Sequence, residues 1–177
     1  MNFVAMDFET ASAQRHSACS LALTIVRQNK VVDEFYTLIK PDTEFSWRNT
    51  QIHGIHASDV VHAPTFPEIW PHINQFYTNN QLVVAHNAPF DNGVLKSTLN
   101  HYGLAPVHYL TLDTVKTSRR FFPEFPNHKL NTVSERLHVN LEHHHNALDD
   151  SLACANILIY QDQQFGAAAI KPFVKLQ

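Results

Sequence analysis

Phe3-Val4-Ala5-Met6-Asp7-Phe8-Glu9-Thr10 places two acids two residues apart in an otherwise apolar run. The run reads as a buried strand, and side chains on a strand alternate faces, so Asp7 and Glu9 point the same way. Two carboxylates on one face of an apolar strand repel each other and lose hydration, and a divalent cation is the simplest source of compensating charge. An edge strand with both acids in solvent is the competing reading. The rest of the chain decides between them.

Beyond the polar stretch 11–17, Ser20 to Arg27 and Val31 to Ile39 are rich in apolar and β-branched residues, separated by Gln28-Asn29-Lys30. This pattern predicts a hairpin and, with the first run, an antiparallel three-stranded meander closed by Pro41. Residues 45–64 lack periodicity and read as loop, with a short helical turn near Ala57-Ser58-Asp59. Phe66, Ile69, Ile73 and Phe76 recur at helical spacing and predict a helix over 66–77. Gln81 to Ala85 reads as a short buried strand running into His86-Asn87-Ala88-Pro89-Phe90-Asp91. A helix over 91–102 follows, with Val94, Leu95, Thr98, Leu99 and Tyr102 inward and Gly103 as its stop. Tyr109 to Asp113 is a fifth strand. Further helices are expected over 130–137 and 147–164, the last burying a stripe of Leu148, Leu152, Ala155 and Ile159. Residues 166–177 show no pattern. This order indicates an α/β sandwich around a mixed sheet of about five strands, the first three antiparallel, forming one domain over 1–165 with a C-terminal tail over 166–177.

The 177 residues suffice for one good core, and 44% apolar with 16% charged residues fits a globular chain rather than a disordered one. Cys19 and Cys154 both fall in segments that read as core. They suggest a reducing compartment and have neither disulfide nor metal-ligand spacing. No apolar run approaches the about 18 residues of a membrane span, and the first residues carry no basic region or cleavage site. The expected location is the cytoplasm, with no membrane association. A net charge of −3 excludes broad non-specific clinging to duplex DNA but not a grip on a few phosphates.

Two further groups add to the first pair. Asp91 opens a helix directly after a strand, where an ordinary acid is favoured by the helix dipole. The His86-Asn87 before it places polar groups at the end of an apolar strand, where ligands bind in α/β sheets. In His145-Asn146-Ala147-Leu148-Asp149-Asp150, the spacing sets Asp150 one turn inside a helix and leaves His145 at its rim, free to take a proton from water. Asp149 is the rival acid and points about 100° away on the helix. His143-His144-His145 also reads as a polar helix-entry loop. A zinc site there is a poorer reading, since adjacent histidines do not easily share one tetrahedral ion.

With these motifs the chain resembles the DnaQ-like, DEDDh 3′–5′ exonuclease family on the ribonuclease H-like fold, including the exonuclease domain of the DNA polymerase III epsilon subunit. Asp7-Phe8-Glu9-Thr10 is similar to that family's first motif, His86 to Asp91 to its second, and His145, Ala147 and Asp150 to its third. Ile52-His53-Gly54-Ile55 and Leu112-Asp113-Thr114 are weaker matches. The resemblance spans about residues 2–160. It implies a two-metal phosphodiesterase with Asp7, Glu9, Asp91 and Asp150 as ligands to two Mg²⁺ or Mn²⁺ ions and His145 as general base. Carboxylates suit such hard cations, and an imidazole suits proton transfer near neutral pH. Thr10, His53, Asn87 and Phe90 are expected to contact the substrate end. Lys116, Arg119, Arg120 and Lys129 form the one modest basic region. The implied substrate is a single-stranded DNA or RNA 3′ end, with DNA favoured. The alternatives are an exoribonuclease of the RNase T or oligoribonuclease type, and a proofreading subunit docked to a DNA polymerase. Gln161-Asp162-Gln163-Gln164-Phe165 loosely matches sliding-clamp peptides.

Overall fold

The computed structural model describes residues 1–177. The chain runs through β1 (Phe3–Thr10), β2 (Ala18–Arg27), β3 (Lys30–Leu38), α1 (Trp47–His53), α2 (Phe66–Ile73), β4 (Leu82–Ala85) and α3 (Ala88–His101). It continues through β5 (Leu110–Asp113), α4 (Thr114–Phe121), α5 (Leu130–Leu137), α6 (Ala147–Phe165), α7 (Ala167–Ile170) and β6 (Lys175–Leu176). Gln28 and Asn29 both adopt left-handed backbone, with φ 52° and 58°, and close the β2–β3 hairpin in a two-residue turn. The sheet order is β3-β2-β1-β4-β5-β6. β1, β2 and β3 pair antiparallel, β4 and β5 join in parallel, and β6 returns antiparallel. This is the mixed α/β sheet of the ribonuclease H-like fold.

β1 lies inside the sheet and is covered on both faces. Val4, Met6 and Phe8 pack with Leu21, Leu23, Phe66 and Trp70 of α2 and Val94, Leu95 and Leu99 of α3. Phe3 and Ala5 pack on the opposite face with Cys154, Ala155 and Leu158 of α6 and with Ile170. The same two-residue alternation that puts Phe3 and Ala5 on the α6 face carries Asp7 and Glu9 there too. The edge-strand reading of these acids is thereby excluded. A third cluster, Phe122, Leu130, Val133 and Leu137, meets Ala153 and Ile157 on the outer side of α6.

Several elements differ from the sequence expectation, each for a physical reason. α1 buries none of its residues and so carries no apolar period; it is defined by its ends, Ser46 accepting from the Asn49 amide and Gly54 at φ 74°. α4 turns Thr114, Thr117 and Ser118 inward, a polar face that hides its periodicity. In α6 the expected stripe fails except at Ala155. The helix is packed on two sides, and small residues such as Ala147, Ser151, Ala153 and Cys154 let it approach its neighbours while Leu148, Leu152 and Ile159 are only half-buried. Residues 166–177 form α7 and the two-residue β6, which makes the sheet six-stranded; a strand this short leaves no sequence period. α3 also starts earlier than expected, with Pro89 in its first turn supplying a helix-compatible φ.

Candidate active site

Asp7 and Glu9 occupy the C-terminal half of β1, where the ladder with β2 is irregular. Glu9 faces Ser20 but Thr10 faces Ala18, so Cys19 is skipped. Such a bulge bends the strand and re-aims the neighbouring side chains. Asp150, in the first turn of α6, is 4% exposed. One carboxylate oxygen from each of Asp7, Glu9 and Asp150 lies within 4.8 Å of the others. Asp91, from the first turn of α3, does not join that close triad. Its Oδ1 accepts from the Phe8 amide at 3.0 Å, which fixes it beside β1.

These acids perturb one another. Burial, then Asp91, Glu9 and Asp150, push the Asp7 carboxyl well above the usual range. Burial, then Asp150 and Asp91, raise Glu9 to about 8. Burial raises Asp91 to about 8 despite the bond from Phe8. Asp150 is also raised by burial, against the opposing hydrogen bond from His144. Four clustered acids held this way need a counter-charge before all of them ionise. All donors in the triad are hard oxygens, and Cys19 and Cys154, whose thiols burial pushes up, offer no competing thiolate. The donor set therefore fits divalent cations of the magnesium or manganese type.

The loop before α6 brings its histidines to the same acid. The His145 amide donates to Asp150 Oδ2 at 3.0 Å, and His145 holds a left-handed backbone, φ 70°, sparsely populated for a residue with a Cβ. The His145 ring makes no hydrogen bond within the chain. Burial and then His144 lower its pKa, keeping it neutral and able to accept a proton at neutral pH. His144 is not the bland helix-entry residue the sequence suggested. Its Nδ1 lies 3.1 Å from Asp150 Oδ1, and its ring stacks on His145 with centroids 3.9 Å apart. His143 engages Asp149 instead, at 3.0 Å, so the two neighbouring acids have separate partners.

Of the expected substrate contacts, Thr10 and His53 meet at the end of β1, while Asn87 and Phe90 lie at the start of α3. Thr10 is clamped from α1. Asn49 Nδ2 donates to the Thr10 carbonyl at 2.8 Å and to its hydroxyl oxygen at 3.1 Å, and His53 Nε2 lies 3.1 Å from the same carbonyl. Because His53 Nδ1 accepts from the Ile55 amide, Nε2 carries the proton and donates. Asn87 caps α3 at φ 75°, exposed, its amide donating to Asp113 Oδ1 at 3.0 Å. Phe90 is half-buried against the larger core cluster. Sequence reading did not single out Asn49 or the contact of His144 with Asp150, and it placed His86 only as a polar group at a strand end. His86 Nε2 donates to the His128 carbonyl and its Nδ1 meets the Thr114 hydroxyl, while burial lowers its pKa to about 4. The legible signals were the Ser46-x-x-Asn49 cap and the polar His86 ending an apolar strand.

The model of the RNase T exonuclease family, described as exonuclease, matches residues 4–158. The chain belongs to this family of DnaQ-like 3′–5′ exonucleases. The exonuclease is 33% identical over 171 residues to the DNA polymerase III PolC-type of Caldanaerobacter subterraneus subsp. tengcongensis, a match covering 96% of this chain and 12% of that protein. The chain thus spans a small part of the curated relatives it matches. It is also similar to a structure of Exonuclease X in complex with 5′ overhanging duplex DNA, with 26% identity, a TM-score of 0.79, and coverage of 97% of this chain and 98% of that one. The nuclease domain of 3′hExo, a DEDDh family member bound to rAMP, shares the fold at TM-score 0.76 and 19% identity, covering 93% and 92% of the two chains.

Proposed function

We propose that this 3′–5′ exonuclease hydrolyses the terminal phosphodiester of a single-stranded DNA 3′ end, releasing 5′-mononucleotides, with two Mg²⁺ or Mn²⁺ ions held by Asp7, Glu9, Asp91 and Asp150 and with His145 as general base. The observation that carries this reading is the convergence of Asp7, Glu9 and Asp150 within 4.8 Å beside a neutral His145 whose own amide is tied to Asp150. Bound divalent ions would supply charge neutralisation at the phosphate and a lowered pKa for water. The protein's own part is positional. Asp150 anchors the His145 backbone, His144 stacks behind the ring, and the unbonded imidazole is left to take a proton from water.

Thr10, His53, Asn87 and Phe90 are the proposed contacts of the terminal nucleotide. The Thr10 hydroxyl accepts from Asn49 and keeps its own proton to donate. Phe90 offers an aromatic face for a base. DNA is supported by the PolC-type relative and by the DNA bound in the Exonuclease X structure. An RNA substrate is the second reading, favoured by the rAMP bound to 3′hExo. Docking to a polymerase is supported by the PolC-type relative, but not by Gln161–Phe165 as a free clamp peptide. That stretch is helical, Gln161 is fully buried, and Phe165 stacks on Phe121 at 4.4 Å. The proposed domain runs over 1–165; of the segment after it, Ile170 packs against β1 and α6, and Lys175–Leu176 pairs with β5 at the sheet edge. No helix is long and apolar enough to cross a membrane, and the proposed location is the cytoplasm.

The test is a time course on 5′-labelled single-stranded DNA and on RNA of the same sequence, with Mg²⁺. A ladder shortening from the 3′ end, faster on DNA, is expected. Faster RNA shortening would replace the substrate, and internal cuts would overturn the exonuclease mechanism.

A further inference from the structure

Away from the catalytic centre, three segments distant in sequence bring metal-binding side chains together. His16 lies in the loop after β1, Asp42 follows β3, and His101 ends α3. His101 Nε2 is 2.6 Å from Asp42 Oδ2, and the His16 and His101 rings stack with centroids 4.2 Å apart and planes 13° from parallel. One ligand atom from each of the three lies within 4.8 Å of the others. Asp42 and His101 are exposed and His16 is half-buried, so none of them supports the core. None belongs to the proposed hydrolytic machinery.

We propose that His16, Asp42 and His101 form a second, separate metal site that takes one borderline divalent cation, Zn²⁺ by preference. Two imidazoles and one carboxylate, with the solvent side open for water, are a recurrent zinc donor set. The acids Asp7, Glu9 and Asp91 offer oxygen alone and suit harder ions, whereas His144, His145 and Asp150 repeat the same donor set beside them, so His144→Ala is the variant that tells the two places apart. Zinc bonds of about 2.0–2.2 Å would replace the His101–Asp42 hydrogen bond and require the two rings to turn out of their stack toward a shared point. Histidine χ2 is a broad torsion, so exposed rings make that turn at little cost. The site has a structural consequence. It joins the loop that leaves the catalytic strand β1 to the last turn of α3, whose first turn carries Asp91. A bound ion would staple these two elements together.

Calorimetric titration of the whole protein with ZnCl₂, in saturating Mg²⁺ to occupy the acidic centre, tests the assignment. The parent is expected to bind one Zn²⁺ that is retained in His144→Ala and weakened at least tenfold in His16→Ala, Asp42→Ala and His101→Ala. Titration with Co²⁺ gives an independent reading, since four-coordinate visible absorption should appear in the parent and vanish in those three variants. Zn²⁺ should also raise the melting temperature of the parent but not of His101→Ala. The proposal is overturned if the parent binds no Zn²⁺ under these conditions, or if binding is unchanged in His16→Ala and His101→Ala. It is equally overturned if only His144→Ala loses the ion, which would move it to the loop beside Asp150. Exonuclease activity enters none of these readouts, so the outcome is independent of the proposed hydrolytic mechanism.

Discussion

His143, His144 and His145 are adjacent in sequence but do three different things. His143 is bound to Asp149, His144 to Asp150, and only the His145 ring is left without a partner. His145→Ala is therefore expected to lower kcat by roughly 10²–10⁴-fold, the usual worth of a positioned proton acceptor. His143→Ala should stay near the parent. His144→Ala should fall between them, by about tenfold, because it removes a stabilising partner of roughly 1.4 kcal/mol from Asp150. Steady-state kinetics on one oligonucleotide checks all three, and equal losses would remove the special role of His145. The pH dependence follows the same residue. The pKa of His145 is lowered by burial and by His144, so its neutral form persists below the ordinary histidine range. Protonation removes the base, and the acid limb of kcat should lie below about pH 6.5 when metal is kept saturating.

Among the elements, α3 carries a compact test of packing. Arg15 crosses this helix at Gly93 and donates to the Pro89 carbonyl at 3.0 Å, and a Cβ at position 93 would run into its guanidinium. The obstacle is the end of a flexible, exposed side chain, whereas glycine inside a helix costs roughly 0.5–1 kcal/mol against alanine. Gly93→Ala is expected to displace Arg15 and stabilise the protein by about 0.5 kcal/mol, read by chemical denaturation. The elements also show what was legible. β1 was readable because a buried strand must be apolar, which made Asp7 and Glu9 conspicuous. Asp91 and Asp150 were readable as acids at helix starts. α1 was not, because it lies on the surface with capping residues and no apolar period. The inner face of α6 was not, because two-sided packing rewards small residues rather than a leucine stripe. His144 stayed hidden because its partner depends on the course of the loop, which residue spacing does not encode.

For the molecule as a whole, the site's stored repulsion should appear as a pH-dependent stability. Asp7, Glu9, Asp91 and Asp150 have folded pKa values above their unfolded ones of about 4. The stability from holding those protons is fully present below the unfolded values and is lost as pH rises through about 8, where Glu9 and Asp91 titrate. Metal-stripped protein should therefore melt at a progressively lower temperature as pH rises from about 4 to about 8, and saturating Mg²⁺ should flatten that slope; a stripped protein with no such slope would mean that the acids are not held in mutual repulsion. The carboxylates are proposed to work by holding divalent cations. The most direct test is turnover of a single-stranded oligonucleotide by chelator-stripped protein, assayed before and after adding back single metals. Activity should be absent in chelator and restored by Mg²⁺ or Mn²⁺. Ca²⁺ should not restore it, since its looser coordination does not hold the required geometry. Full turnover in excess chelator would show that the carboxylates do not act through bound metal.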